Sequence, residues 1–509
     1  MSRSFKRIVE ISSKNIRRYS KDLSSIWTQI LNGKRIDCLE QLDQISKIKE
    51  LLLIEFSSLD CRENPHHKHS LLKNVFLCQD DSIDMGKLDI KFDCVNWPLK
   101  GEILKKAIKG FGNDVRHLLR YLLMPIGIAR PVNTLFKSGG TPLVKSPHLA
   151  QKIGISSENL RFKLEGESQI SGSYKDRVTS TAISAVEDLI HWNALSDDSL
   201  QKNIRESIRI GCASTGNLAI ATLEHAKRCG FKAQVFVPDH LGEEKFSAMR
   251  KALLLEDGSP NGEIIRAGNF DAINAMLSQL YDYYPWLLTV NVNLRPRYKN
   301  GAKTLMYEIA EQMDWRLPNT FNVIMALAGG TSSSSVVEAF LELKELDLID
   351  KKTQMKLWII QPEGCDTVAS SAMKKDPNSK FIKNPKSIAD SLLIGYPGDA
   401  EAPLRYAIEN NGGGCLLDDT EIEKGTWEFN KSSLALHGTE HAGGLEWAGA
   451  KKLILSGMIP TNETTIVIIT GSDRSRFADQ YIPKLARGEY RIDGLQDYKD
   501  LMRTLKIST

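Results

Sequence analysis

From about Gly139 onward the chain alternates short β-rich runs with helical patterns, and this alternation restricts the fold more than any other feature. Residues 160–164 read as a strand, 207–212 as another, then a helix over 217–229 that Gly230 ends. Further strands are expected over 234–237, closed by Pro238, and over 286–290, 323–327, 357–360 and 465–470. Helical patterns over 302–313 and 336–346 lie between them. Strand and helix in alternation give a mostly parallel sheet covered by helices on both faces. The units are too many for one small sheet, and 509 residues exceed one ordinary core, so two α/β domains are expected. The expected division is a larger domain of residues 111–190 and 300–509 and a smaller α/β domain of 191–299.

The first 110 residues read as a mainly helical extension. Leu39, Leu42, Ile45, Ile48 and Leu52 recur at helix spacing, and residues 51–56 read as a short helix face. Asn64-Pro65 breaks the pattern, and a second helical stretch is expected over 115–123. Cys61, His66, His67 and His69 lie close together. Their spacing matches no closed zinc site and no second ligand pair follows, so they read as a polar loop and no metal is expected.

Composition narrows the partners. Hydrophobic residues at 41% and charged residues at 26% make an ordinary soluble mixture. A net charge of +4 without a basic stripe argues against nucleic acid. No apolar run reaches the length of a membrane span. The N-terminus, MSRSFKRIVEISSKNIRRYS, lacks the apolar core of a secretory signal. Its Arg, Lys and Ser content is similar to an organellar leader, but a cytoplasmic location is expected. Eight scattered cysteines without a CxxC pair fit reduced thiols.

Ligands of such folds sit in loops at the carboxyl ends of strands. Three of these loops are unusual. In SGSYKDR (171–177), Val178, Ala182, Ala185 and Leu189 continue on one helical face, so Lys175 sits at a helix start. The macrodipole there disfavours a protonated amine, and a neutral lysine can attack a carbonyl; the bland alternative is a solvated charge. In CASTGN (212–217), Ser214, Thr215 and Gly216 offer hydroxyls and N–H groups to a carboxylate, or merely cap a helix. In AGGTSSSS (328–335), Gly329 and Gly330 admit a close ligand, and a phosphate at the helix start is the natural occupant. No GK[ST] follows, so it is not a nucleotide P-loop; the bland alternative is a flexible turn. Together the loops ask for an aldehyde, a phosphate and a carboxylate. Pyridoxal phosphate with an amino acid meets that description.

Over roughly residues 139–475 the sequence resembles the fold-type II (tryptophan synthase β-like) pyridoxal-phosphate enzymes, most of all the threonine synthase-like group. GGTPLVKSPHLAQKIGI resembles its GTPL segment, and FKLEGESQISGSYKDR its EGxNPTGSFKDR. CASTGNLAIA resembles ASTGNTxxA; GNFDAINA (268–275) resembles GNFDDA; NGAKTLMYEIAEQM resembles EGQKTxxFEIxEQ. QPEGCD, IADSLLIGYPGDAEAPLRYAIENNGG, Glu440-His441-Ala442 and VIITGS resemble later segments in order.

The resemblance implies a two-domain α/β fold and a lyase. Lys175 is expected to hold the cofactor aldehyde covalently and to move protons at the substrate carbons. Asn217 is expected at the ring hydroxyl, Thr470 at the pyridine nitrogen, and Ala328, Gly329, Gly330, Thr331 and Ser332 at the phosphate. Ser214, Thr215 and Gly216 are expected to receive the substrate carboxylate. Lys163, Arg177, Arg295 and Arg297 are the cations expected for a substrate phosphate. The implied reaction converts O-phosphohomoserine and water to threonine and phosphate, by a homodimer acting on a small amino acid.

Four departures bear on the substrate more than on the cofactor. The GNGGN loop reads AGGTS, Leu218 replaces a Thr, ESQISGS carries one extra residue, and NPYRxEGQKT becomes RPRYKNGAKT over 295–304. Moving one donor redirects specificity. A β-replacement or β-elimination on another amino acid, cysteate synthase-like or serine/threonine dehydratase-like, is therefore the second reading. A non-catalytic, regulatory pyridoxal-phosphate-binding protein is the third.

Overall fold

The computed structural model describes residues 53–58, 88–92, 94, 100–110, 124–126, 132–194, 198–214, 216–239, 241–284, 286–292, 294–473, 481–485, 487–505 and 507. The helical pattern from Leu39 to Ile48, the helix expected over 115–123, the Cys61–His69 cluster and Thr215 lie outside them. Leu53–Ser58 (β1) pairs antiparallel with Leu88–Phe92 (β2). This corrects the helix face expected over 51–56. Ile54 and Phe56 suit a pleated surface, and pairing with a distant segment overrides the local spacing.

The larger sheet contains Leu143–Lys145 (β3), Leu160–Leu164 (β4), Thr320–Ala326 (β9), Gln354–Pro362 (β10), Gly413–Leu417 (β11) and Thr464–Ile469 (β12). Its order is β11-β10-β9-β12-β4-β3, and only the β3–β4 pair is antiparallel. Every residue of β12 (TTIVII) is buried, as a central parallel strand covered on both faces requires. The smaller sheet contains Arg209–Ala213 (β5), Lys232–Val237 (β6), Gly262–Arg266 (β7), Leu287–Thr289 (β8) and Glu489–Arg491 (β13). Its order is β13-β7-β6-β5-β8, all parallel.

Side-chain alternation sorts the core into layers. Val323, Met325, Leu357 and Ile359 of the larger sheet share one apolar cluster with Ile210, Val235 and Ile264 of the smaller. The intervening residues, such as Phe162, Ile324 and Val467, pack the opposite face with Phe429 and Trp447. Phe236 and Ile265 do the same in the smaller sheet, with Tyr284 and Tyr498.

The chain's last elements leave the expected division. Strand β13 and the Leu495–Thr504 helix stand with the smaller sheet, not with the rest of 300–509. Strand β13 pairs with β7, and Tyr498 Oη donates to Gln234 Oε1 at 2.7 Å. An open β7 edge is covered in this way.

Candidate functional site

The SGSYKDR segment follows β4 and is stitched to the end of β12. Ser472 N–H and Oγ–H both donate to Gly172 O, at 3.0 and 2.9 Å. Tyr174 N–H donates to Thr470 O at 3.2 Å. Gly172 has φ +63°, and a Cβ there would lie 2.5 Å from Ser472 Oγ, so only glycine fits. Lys175 opens the Lys175–Ala194 helix, as expected.

The acid and base that follow the lysine are structural. Asp176 is fully buried and accepts from Ser168 Oγ (2.6 Å), Ser171 N (2.9 Å) and Ile170 N (3.2 Å), with His225 Nε2 at 3.0 Å. Burial would raise its carboxyl, but His225 and the serine donors hold it below the usual range. The loop is thereby closed around the carboxylate.

Arg177 donates to both Glu165 oxygens (2.7 and 2.9 Å) and to Glu308 Oε2 (2.9 Å). Lys163 Nζ donates to Glu308 Oε1 at 2.5 Å and to Thr141 O at 2.5 Å. All four charged side chains are at most 2% exposed. This corrects the reading of Lys163 and Arg177 as cations for a substrate phosphate: each is already neutralised inside the protein. Gly139, at φ +82°, passes so close that a Cβ would lie 2.6 Å from Arg177 Nη1.

Lys175 Nζ is the centre of a half-buried polar group. It donates to Tyr174 Oη at 2.6 Å and to Tyr298 Oη at 3.0 Å. Tyr174 is also hydrogen-bonded to Ser332. Burial would lower the ammonium's pKa, but the two phenols outweigh it and hold the amine above the ordinary lysine range. The lowered pKa expected from the helix start is therefore corrected: neighbouring oxygens dominate the macrodipole. Tyr174 is raised by burial but pulled below the phenol range overall by Lys175, whereas burial leaves Tyr298 above it.

The CASTGN turn leads from β5 into the Asn217–Arg228 helix. Ser214 Oγ accepts from Gly216 N (3.0 Å) and Ala219 N (2.9 Å), so it caps that helix. Gly216 has φ +151° and lies against Lys245. Asn217 Nδ2 donates to Glu440 Oε1 at 2.6 Å. Asn217 and Glu440 both press on Gly471, next to Thr470.

The AGGTSSSS turn leads from β9 into the Thr331–Glu345 helix. Gly330 is left-handed (φ +88°), and a Cβ would lie 2.5 Å from Asp399 O. A Cβ at Gly329 would meet Ile394 Cδ1 at 3.5 Å, an ordinary contact. Thr331 Oγ1 donates to Asp399 Oδ2 at 2.6 Å, so its hydroxyl hydrogen is committed. Arg295 Nη2 pairs with the same Asp399 oxygen at 2.6 Å. Burial would raise Asp399, but Arg295 and Lys299 hold it below the usual range. Arg297 is buried. Ser333 Oγ is buried and has no hydrogen-bond partner among the described residues.

Thr470 ends β12. Its N–H and Oγ1 both donate to Glu446 Oε2, at 3.0 and 3.2 Å. Glu446 is fully buried, accepts from Ala326 N through Oε1 at 3.0 Å, and is pushed up to about 8 by burial. The sequence reading missed Glu446, Asp399 and both phenols. Tyr174 lay in the quoted SGSYKDR and Tyr298 in RPRYKN, but nothing local marks them as neighbours of Lys175.

The described residues thus bring Lys175, Asn217, Thr470 and the 328–332 loop together at the carboxyl ends of β4, β5, β9 and β12. An amine, a Gly-Gly loop at a helix N-terminus, an orphaned Ser333 hydroxyl and the Thr470 hydroxyl beside Glu446 fit pyridoxal phosphate. Among the described residues no group of His, Cys, Asp or Glu could hold a metal ion.

Known proteins agree. The sequence model of the family described as pyridoxal-phosphate dependent enzyme matches residues 135–471. A threonine synthase of Methanosarcina acetivorans is 28% identical over 389 residues, which cover 76% of this chain and 85% of the relative. The threonine synthase of Methanocaldococcus jannaschii is 27% identical over 390 residues, covering 76% and 86%. The structure of maize serine racemase superposes with a TM-score of 0.50 at 17% identity, covering 74% of this chain and 99% of that one, which shows a shared fold alone.

Proposed function

Because the chain belongs to the pyridoxal-phosphate dependent enzymes, as a lyase resembling the threonine synthases, we propose that it converts O-phosphohomoserine and water to threonine and phosphate. The observation that carries this reading is Lys175, with its amine held by two phenols where the loops of four parallel strands converge. The named relatives are threonine synthases over most of their length.

When bound, pyridoxal phosphate supplies an aldehyde that bonds covalently to an amine and a ring that withdraws electrons from the attached carbons. The chain's own residues do the rest. Lys175 holds the aldehyde and then moves protons at the substrate's α and β carbons. N–H groups of Ala328, Gly329, Gly330, Thr331 and Ser332 hold the phosphate, with the Thr331–Glu345 helix start behind them. Asn217 holds the ring hydroxyl and Thr470 the ring nitrogen. The turn of Ser214, Thr215 and Gly216 takes the substrate carboxylate. Arg297 is read as a cation for a substrate phosphate, and Arg295 only where the phosphate takes over from Asp399, with which it is paired. The protein is read as a cytoplasmic homodimer, for which cell fractionation and light scattering are the measurements.

Purified holoenzyme given O-phosphohomoserine should release phosphate and threonine in equal amounts. Lys175→Ala should release neither and should lose the visible absorption of the lysine-bound cofactor. If folded, coloured wild type yields no phosphate, the substrate is wrong. One observation favours the second reading, β-elimination or β-replacement on another amino acid: Lys163 and Arg177 are sequestered, leaving fewer cations for a phosphate. Ammonia and a keto acid from serine or threonine would support it.

A further inference from the structure

Both phenols at Lys175 stand where the family pattern has other residues. Aligning SGSYKDR with TGSFKDR puts Tyr174 at a Phe, and aligning RPRYKNGAKT with NPYRxEGQKT puts Tyr298 at the Arg. Neither is a surface residue: Tyr174 is 8% and Tyr298 5% exposed. They reach the same nitrogen from separate elements, one from the turn after β4 and the other from the Arg295–Gln312 helix. A packing role requires only rings. Here both hydroxyls point at the amine, and Ser332 supports Tyr174 from the phosphate-loop side.

We propose that Tyr298 is a catalytic acid that carries a proton between Lys175 and the oxygen leaving the substrate's side chain, equipping the site for amino acids that lose a hydroxyl. The proposal rests on the reading of Lys175 as the base. The step balances. Lys175 takes a proton from the α carbon, and that C–H electron pair forms the new carbon–carbon double bond. The ammonium passes a proton to Tyr298 Oη as Tyr298 gives its own to the departing oxygen. The C–O bond breaks with both electrons on oxygen, which leaves as water. Lys175 ends as an amine and Tyr298 as a phenol, with nothing oxidised or reduced. A phosphate departs without such help, whereas a hydroxide does not. The two phenols divide the work: Tyr298 stays protonated because burial raises it, while Tyr174 is drawn toward accepting from the ammonium.

The test compares holoenzyme and Tyr298→Phe on L-serine and O-phospho-L-serine, with keto acid as readout. Cofactor absorption and affinity report an intact site independently of turnover. The variant should lose serine elimination by roughly 10²-fold, as general acids contribute, well beyond any loss on phosphoserine, while the absorption of the lysine-bound cofactor remains present. Equal losses on both substrates, no loss, or a wild type that eliminates only the phosphorylated one would overturn the proposal. Exchange of serine's α-hydrogen with solvent deuterium, followed by NMR, separates the two possible failures. Exchange without elimination shows Lys175 working and overturns the role of Tyr298. No exchange overturns the reading of Lys175 itself. If phosphohomoserine is inert while serine elimination needs Tyr298, the proposed substrate fails and the acid stands.

Discussion

Glu446 places a carboxyl where no water reaches, with three donors from Ala326 and Thr470 for compensation. Burial wins, and the group is pushed from 4.5 up to about 8. The sign follows from proton counting. Between these values the folded protein keeps a proton that the unfolded chain has released, so stability falls as pH rises from about 5 to about 8 and is level above. Glu446→Gln removes this titration. The unfolding free energy of wild type relative to the variant should therefore drop by something on the order of 4 kcal/mol across that window. A constant offset is expected besides, because the amide N–H₂ faces Thr470. Denaturant unfolding of both proteins at about pH 5, 7 and 9 checks this; a difference independent of pH contradicts it. Lys175 was legible in the sequence because its neighbours form a contiguous motif. Glu446 was not, since only the meeting of β9 and β12 over one helix position makes it unusual.

The Arg295–Gln312 helix shows how much of a segment's sequence can be spent on joining elements. Its Gly301 crosses the Lys175–Ala194 helix so closely that a Cβ would lie 2.5 Å from Arg177 O. Its Lys303 pairs with Glu338 and Glu342 of the next helix, and its Glu308 closes the network of Lys163 and Arg177. The Gly, Lys and Thr of NGAKT were readable as a match but not as packing, because their partners are remote in sequence. The sequence also started this helix at 302, missing its polar first turns, which are buried against the site. Glu308→Gln leaves Lys163 and Arg177 facing Glu165 alone. Breaking a buried network by one member costs roughly 3–5 kcal/mol. Guanidinium unfolding should show that loss, and a shift under about 1 kcal/mol, the range of surface pairs, would mean the network is not what holds these elements together.

The alternation of strand and helix revealed two parallel sheets, but not that the chain's end belongs to the smaller one. Residues 489–491 make too short a strand for any periodicity, and their partner, β7, lies more than two hundred residues upstream. Arg250 nevertheless commits its guanidinium to Glu489 there, at 2.8 Å with both side chains 1% exposed. Deleting residues from Gly488 onward would leave that cation with Glu243 and Ile482 O alone and bare the apolar surface that Tyr498 and Met502 cover. The truncated protein should be cut by protease within 191–299 well before the larger domain is attacked, whereas full-length protein should resist in both. Equal resistance of the two would show that β13 is dispensable.

The late return of β13 also bears on how the protein is made. Translation delivers β5, β6, β7 and β8 early, and domains generally fold as units while synthesis proceeds. The β7 edge must wait, unpaired, until residues 489–491 leave the ribosome. Throughout that interval the nascent polypeptide carries an open edge of parallel sheet, the kind of surface to which chaperones bind and from which aggregates grow.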